Sequence, residues 1–328
     1  MPLADDSRWM AAAAALAERA RPLASPNPGV GALIVADGKV VGRGWTQPGG
    51  RPHAEAMALQ AAGEAARGAT LYVTLEPCAH QSPRGPACAD LVAASGIARL
   101  VVGMGDPDGR TDGSGNARVL GAGIAVEELD QDADTLGLSG HVAHTAARRP
   151  HVTLKLAMSL DGCIATSGGE SQWITGAQAR AHTHRERARA DAILVGGGTL
   201  RADNPRLDVR LPGLEGRSPQ RVALTSGKVP DGWTAIASPA AIAGLEGVRY
   251  LLVEGGAQTA SAFLKAGLVD RLLIYRAPLL LGGGTPAIGD VGHATLDQAY
   301  AHGLVLTERR QLGRDSLEVY ARGSIARD

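Results

Sequence analysis

One histidine, two cysteines and a glutamate carry the most direct chemistry in this chain. It reads His53-Ala54-Glu55, then Pro77-Cys78, then Cys88 after nine intervening residues. An imidazole and two thiolates suit a tetrahedral zinc ion whose fourth position stays open for water. Glu55 is left over as a carboxylate that need not ligate. Zinc in such a site lowers the pKa of bound water toward neutrality, and a neighbouring Glu can pass protons to a departing amine. That chemistry is hydrolytic deamination at an amino-substituted ring carbon. H-x-E followed by P-C is the pattern of zinc nucleobase deaminases, although the interval between the cysteines is longer here than in P-C-x-x-C. A structural zinc site would close its shell with a fourth protein ligand, and none stands beside these three at finger-like spacing.

The 328 residues are enough for two domains, each with its own core. With 45% apolar residues, 20% charged and zero formal net charge, the chain is neither a disordered segment nor a polyanion binder. One Phe, four Trp and five Tyr leave little for stacking bases, so nucleic acid is not expected as a partner. Of three cysteines, two belong to the metal set, which leaves Cys163 alone and points to a reducing compartment. The N-terminus, alanine-rich between acids and Arg19, reads as an ordinary helix and not as a leader. No apolar run is long enough to cross a bilayer. The expected location is the cytoplasm.

These residues need elements to position them. The pattern predicts a helix over 9–21, a strand pair at 30–35 and 40–45 joined through Asp37-Gly38, and a helix starting near His53. A buried-type strand at 71–75 ends at Glu76-Pro77-Cys78, and Cys88 opens a helix over 87–94, where the helix terminus favours a thiolate. Strands at 99–102 and 124–127 flank a Gly- and Asp-rich loop at 105–115, and a helix is expected from Asp130 onward. Arg148-Arg149-Pro150 marks a boundary. Beyond it, strands at 151–156, 192–195, 222–224, 250–253 and 271–274 alternate with helical segments, the signature of a mostly parallel sheet covered on both faces. Gly196-Gly197-Gly198 and Glu254-Gly255-Gly256 follow two of those strands and place bare backbone where open α/β sheets bind ligands. Neither is a G-x-G-x-x-G fingerprint. Lys155 is one of only four lysines and sits inside an apolar strand. Spacing alone would let it snorkel from a strand end.

Over nearly its whole length the chain resembles the bifunctional riboflavin-biosynthesis deaminase/reductases. The resemblance rests on Pro26-Asn27-Pro28 with Val30-Gly31, His53-Ala54-Glu55, Thr74-Leu75-Glu76-Pro77-Cys78 with His80 and Cys88, Leu154-Lys155-Leu156-Ala157, Ser159-Leu160-Asp161-Gly162, Gly169 to Thr175, Asp203-Asn204-Pro205-Arg206-Leu207, and Glu254-Gly255-Gly256. It implies an α/β protein with a cytidine-deaminase-like three-layer domain over 1–147. A dihydrofolate-reductase-like domain with a mostly parallel sheet would span 151–328. The first would remove the 2-amino group of 2,5-diamino-6-ribosylamino-4(3H)-pyrimidinone 5′-phosphate. The second would use NADPH to turn ribosyl into ribityl, giving 5-amino-6-ribitylaminouracil 5′-phosphate.

By the same resemblance His53, Cys78 and Cys88 hold Zn2+, Glu55 shuttles protons, and Asn27 and His80 touch the deaminase substrate. Lys155 would face the ribose as a catalytic cation, with Ser171, Arg187, Leu207, Arg210 and Glu254 contacting the reductase substrate, the arginines suited to its phosphate. Ala157, Trp173, Thr199, Asp203 and the run Gly256, Ala257, Gln258, Thr259, Ala260, Ser261 and Ala262 would line the NADPH site. His182 and His184, two apart on one helix, point to different faces and are expected to be structural.

The chain departs from the family in several places. The cysteine interval is one residue longer than usual, and the loop at 81–87 reads Ser-Pro-Arg-Gly-Pro in place of Gly-Arg/Lys-Thr-Pro-Pro, so the phosphate contact there changes. The loop at 106–116 also differs, and Cys163 replaces a usual Lys or Arg. Between Val229 and Tyr250 the chain is shorter, lacking much of one strand-helix unit. That shortening makes a deaminase with an impaired reductase domain the alternative reading. A nucleic-acid base deaminase is a further one, opposed by the neutral charge and scarce aromatics. A zinc-stabilised binding protein would leave Glu55 idle. A small-molecule substrate is expected, with no membrane partner and homo-oligomerisation left open.

Overall fold

Glycines decide how closely helices approach the first sheet. In the computed structural model, which describes residues 4–323, α1 (Ala4–Ala20) leads into the hairpin of β1 (Gly31–Ala36) and β2 (Lys39–Trp45). Asp37 and Gly38 take φ of 48° and 71°, the left-handed pair a two-residue hairpin turn requires. There follow α2 (Ala54–Ala62), β3 (Thr70–Leu75), α3 (Cys88–Ala93), β4 (Arg99–Met104), α4 (Ser114–Gly121), β5 (Ala125–Glu128) and α5 (Ser139–Ala147). The sheet order is β2-β1-β3-β4-β5. β1 runs antiparallel to both neighbours, while β3, β4 and β5 are parallel.

Consecutive strand residues face opposite sides of a sheet. A Cβ on Gly31 would lie 1.9 Å from the Ala13 carbonyl oxygen of α1. A Cβ on Gly44, which pairs with Ala32 and so faces the other way, would lie 2.0 Å from the Ala54 oxygen of α2. The two helices therefore cover opposite faces at backbone contact, which makes three layers. Ile34, Leu71, Val73, Leu100 and Val102 fill the core between them. Asp6 on α1 accepts from both Arg99 Nη atoms, at 2.9 and 2.8 Å, and from Tyr72 Oη at 2.8 Å, which ties the helix to β3 and β4.

Two expectations for this half need adjusting. α1 begins at Ala4, before Trp9. The helix expected from Asp130 starts only at Ser139, because Asp130 takes φ 47° and Asp132 accepts from the Thr135 backbone and hydroxyl, a local turn that competes with a helix.

The second compact unit, Arg149–Asp328, contains β6 (His151–Met158), β7 (Cys163–Ala165), α6 (Ala177–Arg187), β8 (Ala192–Gly196), α7 (Gly197–Asp203), β9 (Gln220–Leu224), β10 (Trp233–Ile236), β11 (Tyr250–Val253), α8 (Ala257–Lys265), β12 (Arg271–Arg276), β13 (Thr285–Pro286), α9 (Leu296–Tyr300), β14 (Leu304–Leu312) and β15 (Asp315–Arg322). The large sheet has the order β10-β9-β8-β11-β6-β12-β15-β14. It is parallel from β10 to β12 and ends in an antiparallel hairpin. The segment shortened before Tyr250 still supplies β10, followed by one short 3-10 helix at Pro239–Gly244. β6 is central and alternates: Val152, Leu154, Leu156 and Met158 are core, while Thr153, Lys155 and Ala157 share the less buried face. The lysine is thus held mid-strand and not at a strand end.

Gly44→Ala should force β2 and α2 apart and destabilise the protein by about 1–3 kcal/mol, the usual range for overpacking. Chemical denaturation would show this as a lowered midpoint.

Candidate functional site

α2 starts immediately after His53, whose extended backbone (φ −75°, ψ 165°) makes it the N-cap, so Glu55 falls in the first turn. Cys78 lies just past the end of β3, and Cys88 is the first residue of α3. His53 Nδ1 lies 3.6 Å from Cys78 Sγ and 3.3 Å from Cys88 Sγ. Their three donor atoms fall within 4.8 Å of one another, the one such cluster found among the described residues. The Cys88 N–H also donates to Cys78 Sγ at 3.3 Å. Cys78 is pushed down to about 4, chiefly by its hydrogen bond with the Cys88 thiol, and Cys88 is pushed up by that bond and by burial. One imidazole nitrogen and two sulfurs converging on one point suit zinc, and His53 and Cys78 line an open pocket. Glu55 lines the same pocket and is 3% exposed. Burial pushes its carboxyl up, against the pull of His53, as suits a group that must take a proton and return it.

Asn27 Nδ2 is 3.1 Å from His53 Nε2 and donates to the Gly50 carbonyl at 2.9 Å. His80 lines the pocket, and its Nδ1 is buried without a hydrogen-bond partner among the described residues. Sequence reasoning missed the opposite wall. Glu76 accepts from the backbone N–H groups of Asp106 (3.1 Å), Gly113 (3.0 Å) and Asn116 (2.9 Å), which pins the loop between β4 and α4. A Cβ on Gly115 would lie 2.0 Å from the Pro77 oxygen, so the same loop presses on the turn that carries Cys78. His141 Nε2 and Asp106 Oδ1, 2.8 Å apart, complete the wall. No spacing rule links Glu76 to positions thirty and more residues on.

In the second unit Lys155, Glu254 and Arg187 form a buried cluster. Arg187 donates from Nε and Nη2 to the two Glu254 oxygens at 2.7 and 2.9 Å, and from Nη1 to the Asp208 carbonyl at 3.0 Å. Lys155 Nζ lies 3.8 Å from Glu254 Oε2. Burial lowers the Lys155 pKa, with Glu254 opposing and Arg187 adding to the effect. Burial would raise Glu254, but the Arg187 hydrogen bonds and the Lys155 charge outweigh it and hold the carboxyl below its usual range. The expected pairing of Arg187 with a phosphate needs correcting, since its fork is already engaged by Glu254. Arg210 is the exposed arginine of the two, beside Asp208 at 3.5 Å. His184, expected to be structural, accepts from the Arg210 N–H at 3.3 Å and feels Arg187 and Glu254. His182 points elsewhere, to Tyr275 Oη at 2.7 Å.

Leu207 has φ 54° and is 5% exposed, packed with Ile193, Val195 and Leu200. It can offer a ligand its main chain only. Ser171 and Asp203 are exposed, Thr199 and Ala157 half-buried. Trp173 is 61% exposed, with Arg180 stacked 4.7 Å from its ring centre. The glycine turns after β8 and β11 lie side by side, because those strands are neighbours. A Cβ on Gly196 would meet Thr259 Oγ1 at 2.3 Å, and one on Gly255 would meet Thr259 Cβ at 2.4 Å. The N-terminus of α8, capped by Gly256 without a side-chain bond, therefore opens beside Thr199, as a pyrophosphate would require. Of the run 256–262, Gly256, Ala257 and Gln258 are accessible. Thr259 and Ala260 are buried, and Ser261 accepts from the Gly289 N–H at 2.8 Å, so these three do not line a cofactor cleft with their side chains.

Residues 3–104 match the family model of the cytidine and deoxycytidylate deaminase zinc-binding region, and residues 150–315 match that of the RibD C-terminal domain. The riboflavin biosynthesis protein RibD of Aquifex aeolicus is 36% identical, over 90% of this chain and 92% of its own length. That of Escherichia coli is 38% identical, over 84% and 89%. The structure of Acinetobacter baumannii RibD superposes with a TM-score of 0.84 at 33% identity, covering 98% of this chain and 99% of that one. A Thermotoga maritima diaminohydroxyphosphoribosylaminopyrimidine deaminase/5-amino-6-(5-phosphoribosylamino)uracil reductase gives 0.83 at 30%, covering 97% and 99%. The first unit accordingly carries the deaminase zinc-binding region and the second the RibD C-terminal domain.

Glu76→Gln replaces one accepting oxygen by an amide nitrogen and strands at least one of the three N–H groups. The expected cost is about 1–3 kcal/mol. Hydrogen exchange should speed up at Asp106, Gly113 and Asn116.

Proposed function

The chain belongs to the RibD family of bifunctional riboflavin-biosynthesis deaminase/reductases, and from that premise we propose which residues carry each reaction and on what substrate. Residues 1–147 form the deaminase and 151–328 the reductase. The first substrate is 2,5-diamino-6-ribosylamino-4(3H)-pyrimidinone 5′-phosphate, and the final product is 5-amino-6-ribitylaminouracil 5′-phosphate. The observation that carries the first half is the convergence of His53 Nδ1, Cys78 Sγ and Cys88 Sγ beside buried Glu55. Zinc held there supplies the Lewis acidity that makes water nucleophilic at neutral pH. Glu55 takes the proton of that water and passes it to the leaving ammonia, while Asn27 and His80 hold the pyrimidine. Glu76 keeps the opposite wall in place.

For the second half the carrying observation is Lys155 on the less buried face of β6, 3.8 Å from Glu254. NADPH supplies the hydride. Main-chain N–H groups at the start of α8, with Thr199, Asp203, Trp173 and Ala157, would hold that cofactor. Lys155 would give its proton to the ribosyl ring oxygen as the bond from that oxygen to carbon 1 breaks and hydride is added to carbon 1. Glu254 holds that ammonium and Arg187 holds Glu254, so both act as positioning residues. Ser171, Arg210 and the Leu207 main chain face the ribitol phosphate. β10 keeps the shortened segment within the sheet, which favours an active reductase over a deaminase alone. The substrate is a free small molecule and not nucleic acid, consistent with zero formal net charge. The three free cysteines fit a cytoplasmic protein.

Purified protein should release ammonia from the diaminopyrimidine phosphate without NADPH and oxidise NADPH only after that release. Glu55→Gln should lower ammonia release about 10²- to 10⁴-fold with zinc content unchanged. Equal turnover in that variant would remove Glu55 from proton transfer. Glu254→Gln takes away the anion that opposes the downward shift of Lys155, so the Lys155 pKa should fall further. The basic limb of the reductase pH profile should then move to lower pH, and an unmoved limb would sever Lys155 from the step.

A further inference from the structure

Glu254 is not alone beside the Lys155 ammonium. The ring of Tyr275 is there too, with Lys155 Nζ over it and 5.9 Å from its centre. Parallel pairing sets Lys155 opposite Leu273 and Ala157 opposite Tyr275, so lysine and tyrosine share one face of the sheet on neighbouring strands. Ala179 of α6 packs on that face with Leu273, Tyr275, Leu317 and Val319, and the tyrosine is fully buried.

A buried phenol needs a partner, and this one stands at the end of a chain of fixed polarity. Arg310 Nη2 lies 3.2 Å from His182 Nε2, and His182 Nδ1 lies 2.7 Å from Tyr275 Oη. A guanidinium can only donate. His182 Nε2 must therefore accept, which puts the imidazole proton on Nδ1, where it donates to the phenol oxygen. Burial holds the His182 imidazole below its usual range, with Glu186 opposing and Arg310 adding to the effect. Burial and the Glu186 charge push the Tyr275 phenol up. Both rings are thus kept neutral.

The charges around the ammonium do not balance. Glu254, at the end of β11, serves Lys155 and also Arg187 of α6, with His184 close by. Asp208 is taken by Arg206 and Arg210, and Glu186 by Arg189 and Arg271. One carboxylate is left to two buried cations. The face of an aromatic ring carries partial negative charge and attracts a desolvated ammonium within about 6 Å.

Resting on the role given to Lys155 above, we propose that Tyr275 is a positioning residue of the reductase, its ring face holding the Lys155 ammonium while His182 and Arg310 anchor the ring. A second carboxylate would occupy an N–H of the ammonium. The ring attracts the charge without accepting a hydrogen bond, so those protons stay free for the sugar oxygen.

The test follows Lys155 directly in full-length protein labelled with 13C at lysine Cε. The chain has only four lysines, and the signal missing from Lys155→Arg is that of Lys155. Its titration midpoint should be unmoved in Tyr275→Phe, which keeps the ring. In Tyr275→Leu the proton should be held about 3- to 30-fold more weakly, the worth of a cation over a ring, and the midpoint should fall to lower pH. Because the chain has one Phe, growing Tyr275→Phe on fluorinated phenylalanine alters only position 275 and Phe263. Fluorine strips charge from the ring face with little change of shape, so the midpoint should fall stepwise from the monofluorinated to the trifluorinated ring. This series decides the matter even where Tyr275→Leu does not fold. A midpoint indifferent to fluorination would reduce Tyr275 to packing and overturn the proposal. The basic limb of the reductase pH profile should move with the midpoint. A moving midpoint with a fixed limb would leave the ring contact standing and sink the role of Lys155 on which it rests.

Discussion

The cluster of His53, Cys78 and Cys88 proposed to hold zinc depends on backbone coming closer to backbone than any side chain would permit. α2 can place His53 and Glu55 over the end of the sheet only because Gly44 and Gly42 let its carbonyls sit directly on β2. Cys78 is held from the other side, where Gly115 presses on Pro77. Ligand geometry in a zinc site tolerates errors of a few tenths of an ångström. That tolerance is met by packing that has no side chain to readjust. The chemistry at the centre is therefore enforced by residues that carry no chemistry.

The second unit solves a different problem, that of keeping charge inside a sheet. An isolated ammonium on β6 would lose its proton on burial. Glu254 opposes that loss, and Arg187 in turn holds the Glu254 carboxyl below its usual range through two hydrogen bonds, so the three groups are buried together. The arrangement sets Lys155 beside Glu254. It also explains why Arg187 is committed inside the protein while Arg210 remains outside.

Much of this was legible from residue type and spacing. Asp37-Gly38 announces its hairpin, a helix starts at His53 and Cys88 opens the next, whereas spacing would let Lys155 snorkel from a strand end and only the paired strand shows it mid-strand. What stayed illegible depends on partners distant in sequence. Glu76 reads as part of a motif, yet its use is to hold three N–H groups thirty to forty positions away. Arg187 reads as a phosphate ligand until Glu254 is seen beside it. The delayed start of α5 reflects competition between Asp132 and the helical backbone, which hydrophobic period does not register. The closing hairpin of β14 and β15 was hidden because β14 is half solvated and crowded with Glu308, Arg309 and Arg310.

Leu207 shows how order can be settled in advance. A leucine in the left-handed region is disfavoured by roughly 1–2 kcal/mol, and burying its side chain returns about 1.5–3 kcal/mol. The side chain thus acts as a peg that holds the 203–208 turn in an otherwise unwelcome shape. Any molecule that docks on that turn finds it already immobile, and the entropy of freezing it was spent when the polypeptide folded.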